Sequence, residues 1–319
     1  MEINTAVASS LQFDALLVID GALATELEAR GLNITSPVWS ASALVHHPDV
    51  IRDVHLSYYL AGANIAITAS YQATHRGLNE HLNYDHDQSS RLIRKSVDLA
   101  KQARDHARLS PQCRDQKLFV AGSVGPYGAY LADGSEYTGK YDLKAEQYKD
   151  FHRPRVQALV DAGVELLACE TLPNYGEAEA LLQLIKEEYP ETVAWFSFTL
   201  KDASHISDGT SAEHVSSLLA TSSQTIAIGF NCIPITLVRD ALAAWRPHTS
   251  KPLLCYPNSG EGYDATTNSW TGQREGGRWE DLVPTWAKAG ATMVGGCCRT
   301  GPADIKVIAE VLAKERQQT

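Results

Sequence analysis

The chain has 319 residues, 44% of them apolar and 21% charged, a balance that supports a large buried core and excludes a disordered chain. Its formal charge of −10, with no cluster of Lys and Arg, excludes the basic face that a phosphate backbone needs, so no nucleic-acid partner is expected. No window reaches the ~18 apolar residues of a membrane span, and residues 1–13 lack a basic start followed by an apolar run, so a cytosolic protein without a membrane partner is expected.

In chain order, the first β-rich apolar run covers residues 15–20 and leads into Asp20-Gly21-Ala22-Leu23-Ala24-Thr25. That turn lacks the Gly-x-Gly-x-x-Gly spacing of a dinucleotide-binding fold, which argues against an open doubly wound sheet. Seven more such runs follow at 64–70, 118–123, 165–170, 193–200, 225–232, 252–256 and 292–296. Between them lie stretches such as 90–107, 147–162, 175–188 and 303–314, whose apolar residues return every three or four positions. Eight alternating units predict an α/β protein, a (β/α)₈ barrel. No linker or low-complexity tract divides the chain, so one domain is expected over 1–319, with 1–13 a loosely ordered N-terminal segment. Two connections, 122–142 and 257–278, are longer than a barrel requires. Both follow strand C-terminal ends, the face on which barrel enzymes build their sites.

Six cysteines are too few for a disulfide scaffold at this length, and in a reducing compartment they read as buried residues, metal ligands or nucleophiles. The Asn33-Ile34-Thr35 sequon has no meaning there. Cys232 ends the sixth run, and Cys297 with Cys298 ends the eighth, after Gly295-Gly296. In a barrel those ends share one rim. Adjacent residues of a strand face opposite sides, so Cys297 and Cys298 can share an ion only where the strand has broken into a turn, a freedom expected from the two glycines. Three thiolates suit zinc or another soft ion and leave a fourth tetrahedral position open, the hallmark of a catalytic rather than a structural site. Plain burial accounts better for Cys169 and Cys255, which lie inside strands, and Cys113 reads as a loop thiol.

Asp20-Gly21-Ala22-Leu23-Ala24-Thr25-Glu26-Leu27, Glu170-Thr171-Leu172-Pro173-Asn174, Asn231-Cys232, Tyr256-Pro257-Asn258-Ser259-Gly260-Glu261 and Gly295-Gly296-Cys297-Cys298-Arg299-Thr300 together resemble the homocysteine S-methyltransferase family over residues 16–308. The combination is far more specific than any piece. One departure is Ala24, where members often have Gly, and it does not touch the metal residues. Within the family the chain is most similar to bacterial enzymes that use S-methylmethionine. The resemblance implies a (β/α)₈ barrel, a zinc site on Cys232, Cys297 and Cys298, and homocysteine sulfur as the fourth ligand. The folate and cobalamin domains of corrinoid-dependent methionine synthases have no counterpart here, which implies a direct methyl donor: S-methylmethionine, with S-adenosylmethionine as the other candidate.

An amino-acid thiol also has an ammonium and a carboxylate to be held. Asp20 and Glu170, at the ends of the first and fourth strands, are where carboxylates would hold the ammonium, and the family assigns similar acidic positions to homocysteine. The plain alternatives are a helix N-cap for Asp20 and a buried ion pair for Glu170. Gly21 offers a backbone N–H to the carboxylate, and Ser70, Gln72 and Asn231 are expected rim contacts. A sulfonium donor lacks hydrogen-bond donors, so aromatic faces and carboxylates are its natural partners. The long loops supply Tyr127, Tyr130, Tyr137, Tyr141, Tyr263 and Trp270 as a group.

Other motifs fall away. Residues 134–141 nearly spell a phosphate-binding loop but end in Tyr where Ser or Thr should stand, and no strand directly precedes them. His46, His47 and His152 read as surface or helix-terminal residues. A zinc hydrolase on the same barrel is disfavoured because a three-cysteine shell lowers the Lewis acidity that water activation needs. A non-enzymatic metal- or thiol-binding protein would leave the acidic rim and long loops without a use.

Overall fold

Short runs of β-branched, aromatic and aliphatic residues form eight parallel strands in a computed structural model that describes residues 16–32, 39–264, 269–271 and 276–317. The segment 1–13 and the Asn33 sequon lie outside the described residues. The strands are β1 (Leu17–Val18), β2 (Ile65–Ile67), β3 (Phe119–Val124), β4 (Leu166–Leu172), β5 (Ala194–Phe198), β6 (Thr225–Asn231), β7 (Leu253–Tyr256) and β8 (Ala291–Val294). Each pairs in parallel with its sequence neighbours, β1 pairs with β8, and the bridge between Ile19 and Ile65 closes the ring. The open sheet is thereby excluded and the (β/α)₈ barrel stands.

The expected helices are present, among them His86–Ala107, Ala145–Asp161, Tyr175–Glu188 and Pro302–Arg316. Local chemistry starts them. Asp85 and Gln88 form a capping box at 2.7 and 2.9 Å, and Asn174 caps Tyr175–Glu188 by accepting the Glu177 N–H at 3.1 Å.

Alternation along each strand divides the core in two. Leu17, Ile19, Phe119, Ala121, Leu166, Ala168, Trp195, Leu254, Tyr256 and Met293 fill the barrel interior. Val18, Val120, Leu167, Cys169, Phe196, Phe230 and Cys255 point outward and pack with the helices. Cys169 and Cys255 are therefore buried wall residues, as expected. Cys113 is a loop thiol, as expected, but a buried one: it is 1% exposed, with its Sγ 3.4 Å from the Tyr59 carbonyl.

Among the described residues, both long connections contain secondary structure. The one after β3 contains a short helix, Tyr127–Leu131, and a 3-10 turn, Ser135–Tyr137. The one after β7 contains the hairpin of Gly262–Asp264 with Ser269–Thr271. Among the described residues no helix is long and apolar enough to cross a membrane.

Candidate metal and substrate site

The inward parity that buries Leu166 and Ala168 also turns Glu170 into the barrel, two residues further on. The same parity brings in Ser123 from β3, Ser197 from β5 and Tyr256 from β7. Ser123 Oγ donates to Glu170 Oε1 at 2.5 Å, and the Tyr256 hydroxyl donates to Oε2 at 3.1 Å. Tyr256 in turn is 2.6 Å from Ser197 Oγ and accepts from Trp195 Nε1 at 3.3 Å. Burial nevertheless wins over these bonds and pushes the Glu170 carboxyl up to about 7.

Asp20 follows β1 on the seam of the barrel. Its Oδ2 accepts the Ile67 N–H at 2.9 Å, stitching β1 to β2 just above the closing bridge. Burial raises its carboxyl well above the usual range, and the Glu170 charge raises it further. Neither plain alternative holds. The helix Leu23–Ala29 has Ala22 at its N-cap, and among the described residues no ion pair engages Asp20 or Glu170. Both carboxyls are buried, Asp20 feels the Glu170 charge, and Arg155 is the cation that bears on Glu170, without an ion pair to it.

Cys232, Cys297 and Cys298 converge on the same rim, half-buried, with all three sulfurs within 4.8 Å of one another. The Cys297 and Cys298 sulfurs are 4.0 Å apart, close to the roughly 3.8 Å that two thiolates span on a tetrahedral zinc with bonds of about 2.3 Å. Cys232 and Cys297 are in disulfide contact, their Cα atoms 5.5 Å apart, so the trio offers three thiolates once that pair is reduced. The donor set and its spacing fit a soft divalent ion with one position left open.

The segment after β7 holds the trio together. The Cys232 N–H donates to the Tyr256 carbonyl at 3.2 Å, Cys297 N–H to Pro257 at 2.7 Å, and Cys298 N–H to Asn258 Oδ1 at 3.2 Å. This role of Tyr256-Pro257-Asn258 cannot be read from the sequence, because it consists of hydrogen bonds, two of them purely backbone, between segments distant in the chain. Gly295 and Gly296 serve differently from expectation. Neither has a positive φ; that falls on Arg299 at 65° and Cys232 at 50°. A Cβ on Gly295 would stand 2.7 Å from that of Ile19, and one on Gly296 2.2 Å from Thr300 Oγ1, so the glycines permit close approach of chains.

The remaining rim residues divide. Ser70 Oγ donates to the Ser123 carbonyl at 2.9 Å and is fully buried. Asn231 gives both ends of its amide to Thr171, at 2.8 and 2.7 Å, and fixes that residue at a φ of 60°. Ser70 and Asn231 thus already act as framework. Gln72 is different, because its Oε1 is shielded from solvent and has no partner. Gly21 lies beside Asp20, pressed against the Tyr58 ring and the Thr300 carbonyl, where a Cβ would be 2.8 Å from each.

The tyrosines of the loop after β3 are largely absorbed by the loop itself. Tyr127 packs at tilted or edge-on angles against Tyr130, Tyr141 and Phe151, and Tyr130 against Phe151, at ring separations of 4.9–5.6 Å. Tyr141 donates to Glu177 at 2.5 Å and Tyr130 to Glu80 at 2.7 Å. Tyr137 is 39% exposed, and the side chains of Tyr263 and Trp270 lie outside the described residues. His152 corrects the surface reading: it is fully buried, 2.7 Å from Glu177 Oε1 and 2.9 Å from Arg155. Glu177 also accepts the Tyr127 N–H at 2.6 Å, so this buried group anchors the loop. Its i,i+3 spacing of His152 and Arg155 was the one signal available.

The whole chain finds relatives. A sequence model of the homocysteine S-methyltransferase family matches residues 17–312. A homocysteine S-methyltransferase of Escherichia coli K12 is 52% identical over 309 residues, 97% of this chain and 99% of that protein. A selenocysteine methyltransferase of Astragalus bisulcatus is 43% identical, over 95% of this chain and 94% of that one. Among solved structures, the metallated form of the E. coli homocysteine methyltransferase MmuM superposes with a TM-score of 0.86 at 50% identity, over 95% of this chain and 98% of that one.

Proposed function

The chain belongs to the homocysteine S-methyltransferase family, an enzyme family of methyltransferases, and from that premise we propose that it moves the methyl group of a sulfonium donor, S-methylmethionine, to the sulfur of homocysteine and forms methionine. The resident metal of this reading is zinc, held by Cys232, Cys297 and Cys298. The observation that carries it is the convergence of those sulfurs within 4.8 Å on the rim that also presents two buried carboxylates without an ion pair.

When bound, zinc supplies the Lewis acidity that keeps an aliphatic thiol as its thiolate at neutral pH. The protein does the rest. Glu170 and Asp20 bind the homocysteine ammonium, and Ser123 and Tyr256 hold the Glu170 carboxylate for it. Gly21 offers its N–H to the substrate carboxylate, and the orphan Gln72 Oε1 takes a further donor hydrogen. Ser70 and Asn231 act one step back, by fixing the strand ends that carry these groups.

The test is direct. Zinc-loaded protein incubated with homocysteine and S-methylmethionine should form methionine, and S-adenosylmethionine in the donor's place ranks the two donors. Absence of methionine with either would overturn the reading, whereas hydrolysis of an ester or amide by the same preparation would favour the hydrolase.

A further inference from the structure

Four successive contacts zip the segment after β7 to the segment after β8. The Cys297 N–H donates to the Pro257 carbonyl at 2.7 Å, the Cys298 N–H to Asn258 Oδ1 at 3.2 Å, and the Ser259 N–H to the Cys298 carbonyl at 3.0 Å. The fourth contact is an ion pair, from Arg299 Nε to Glu261 Oε2 at 2.8 Å. Of the four it alone joins two side chains, and it is the outermost, because the hairpin of the long loop begins at Gly262. Arg299 also donates its N–H to Thr25 Oγ1 at 3.0 Å, so three separate stretches of chain meet at this residue.

Arg299 is where the backbone bends. Its φ of 65° is left-handed, a conformation that a long side chain keeps only when its surroundings impose it. The bend follows directly on the two cysteines, which have left strand geometry: their sulfurs lie 4.0 Å apart instead of on opposite faces. The bond to Thr25 uses only the backbone, and glycine would make it at less conformational cost. What an arginine adds here is the bond to Glu261. The pair is partly shielded from water, with 37% of the Arg299 side chain and 23% of the Glu261 side chain exposed.

We propose that Glu261 and Arg299 are positioning residues for the metal, whose ion pair fixes the cysteine turn in its ion-binding shape before the ion arrives. This rests on the reading of Cys232, Cys297 and Cys298 as zinc ligands. Neither side chain supplies a ligand; the gain is pre-organisation, since little of the binding free energy then goes into ordering the turn. Without the pair, the turn relaxes in the empty protein and zinc must restore it. A role of charge alone predicts something different. Three thiols that release their protons to hold a divalent ion become net negative, so loss of Glu261 would strengthen binding and loss of Arg299 would weaken it. A clamp weakens binding whichever partner is removed, and removing the second costs nothing further.

The experiment measures the zinc affinity of the reduced, full-length protein by competition with a chromophoric chelator, for wild type, Glu261→Gln, Arg299→Gly and the double variant. Circular dichroism of the zinc-free forms checks folding, and Arg299→Gln takes the place of Arg299→Gly if the glycine variant does not fold. Each single variant should bind zinc on the order of threefold to tenfold more weakly, and the double variant should match the weaker single one within about twofold. Glu188→Gln is the control. It removes a pair of similar exposure, Arg153 with Glu188 at 2.9 Å between two outer helices, and should leave zinc affinity unchanged. Unaltered affinity in both single variants, effects of opposite sign, additive losses, or an equal loss in Glu188→Gln would overturn the proposal. Failure of wild type itself to bind one zinc per chain would overturn the metal reading, and the proposal with it.

Discussion

The Tyr256 hydroxyl donates to Glu170 Oε2 at 3.1 Å while the carbonyl of the same residue accepts the Cys232 N–H at 3.2 Å, so one residue of β7 joins the buried carboxylate to the sulfur cluster. Tyr256→Phe separates the two functions. The backbone bond to Cys232 survives and zinc content should not change, but Glu170 loses a donor and its carboxyl rises above about 7. The acid limb of kcat/KM for homocysteine should move to higher pH, with a loss of roughly threefold to tenfold at pH 7. A pH profile that coincides with wild type would show that the hydroxyl does not tune the carboxylate.

Glu170→Gln tests the carboxylate itself. Zinc content should stay intact, because the cysteines lie on other strands, while homocysteine affinity falls on the order of tenfold to a hundredfold with the loss of a charge-assisted bond. Thiols that lack the amino group should bind wild type poorly and ignore the substitution. Equal weakening of both thiols, or loss of zinc, would make Glu170 structural.

The same variant has a stability signature. The Glu170 carboxyl is raised from 4.5 to about 7 in the fold, so between those values the folded protein holds a proton that the unfolded chain has released. Stability from this group therefore declines as pH rises through that interval, and the full cost stands above pH 7. Without homocysteine, Glu170→Gln should match wild type below pH 4.5 and exceed it by roughly 3–3.5 kcal/mol at pH 8, at 1.36 kcal/mol per unit. Urea unfolding at the two pH values measures the difference. A variant less stable at pH 8 would mean that the Ser123 and Tyr256 bonds outweigh the burial of the charge.

Cys298→Ser should lose most of the bound zinc, one ion per chain in wild type, together with methyl transfer. Metal analysis and turnover report it, and stoichiometric zinc with near-normal turnover would refute the site. Cys113→Ser should keep both, since that thiol is buried against Tyr59 and far in the fold from the rim. Loss of zinc there would mean that the wrong thiols were chosen.

What the sequence by itself determined follows from local sterics. Runs of apolar residues located all eight strands, buried Cys169 and Cys255 within them and put Glu170 at the end of the fourth, while alternation in the folded barrel then turned Glu170 inward. Cys232, Cys297 and Cys298 were legible for the same reason, as residues at the ends of two strands of one ring. Only the tertiary structure decided which polar groups were already taken. Ser70 and Asn231 already hydrogen-bond to Ser123 and Thr171, while Gln72 and Glu136 each keep an unpartnered oxygen. His152 has the look of a surface residue until Glu177 and Arg155 enclose it. Gly295 and Gly296 signal a flexible turn, but Gly295 permits close contact with the chain after β1 and Gly296 the packing of Thr300. A hydrogen-bond partner 50 or 60 residues away leaves no periodicity behind it, so whether a polar side chain is framework or free is settled only when the strands close.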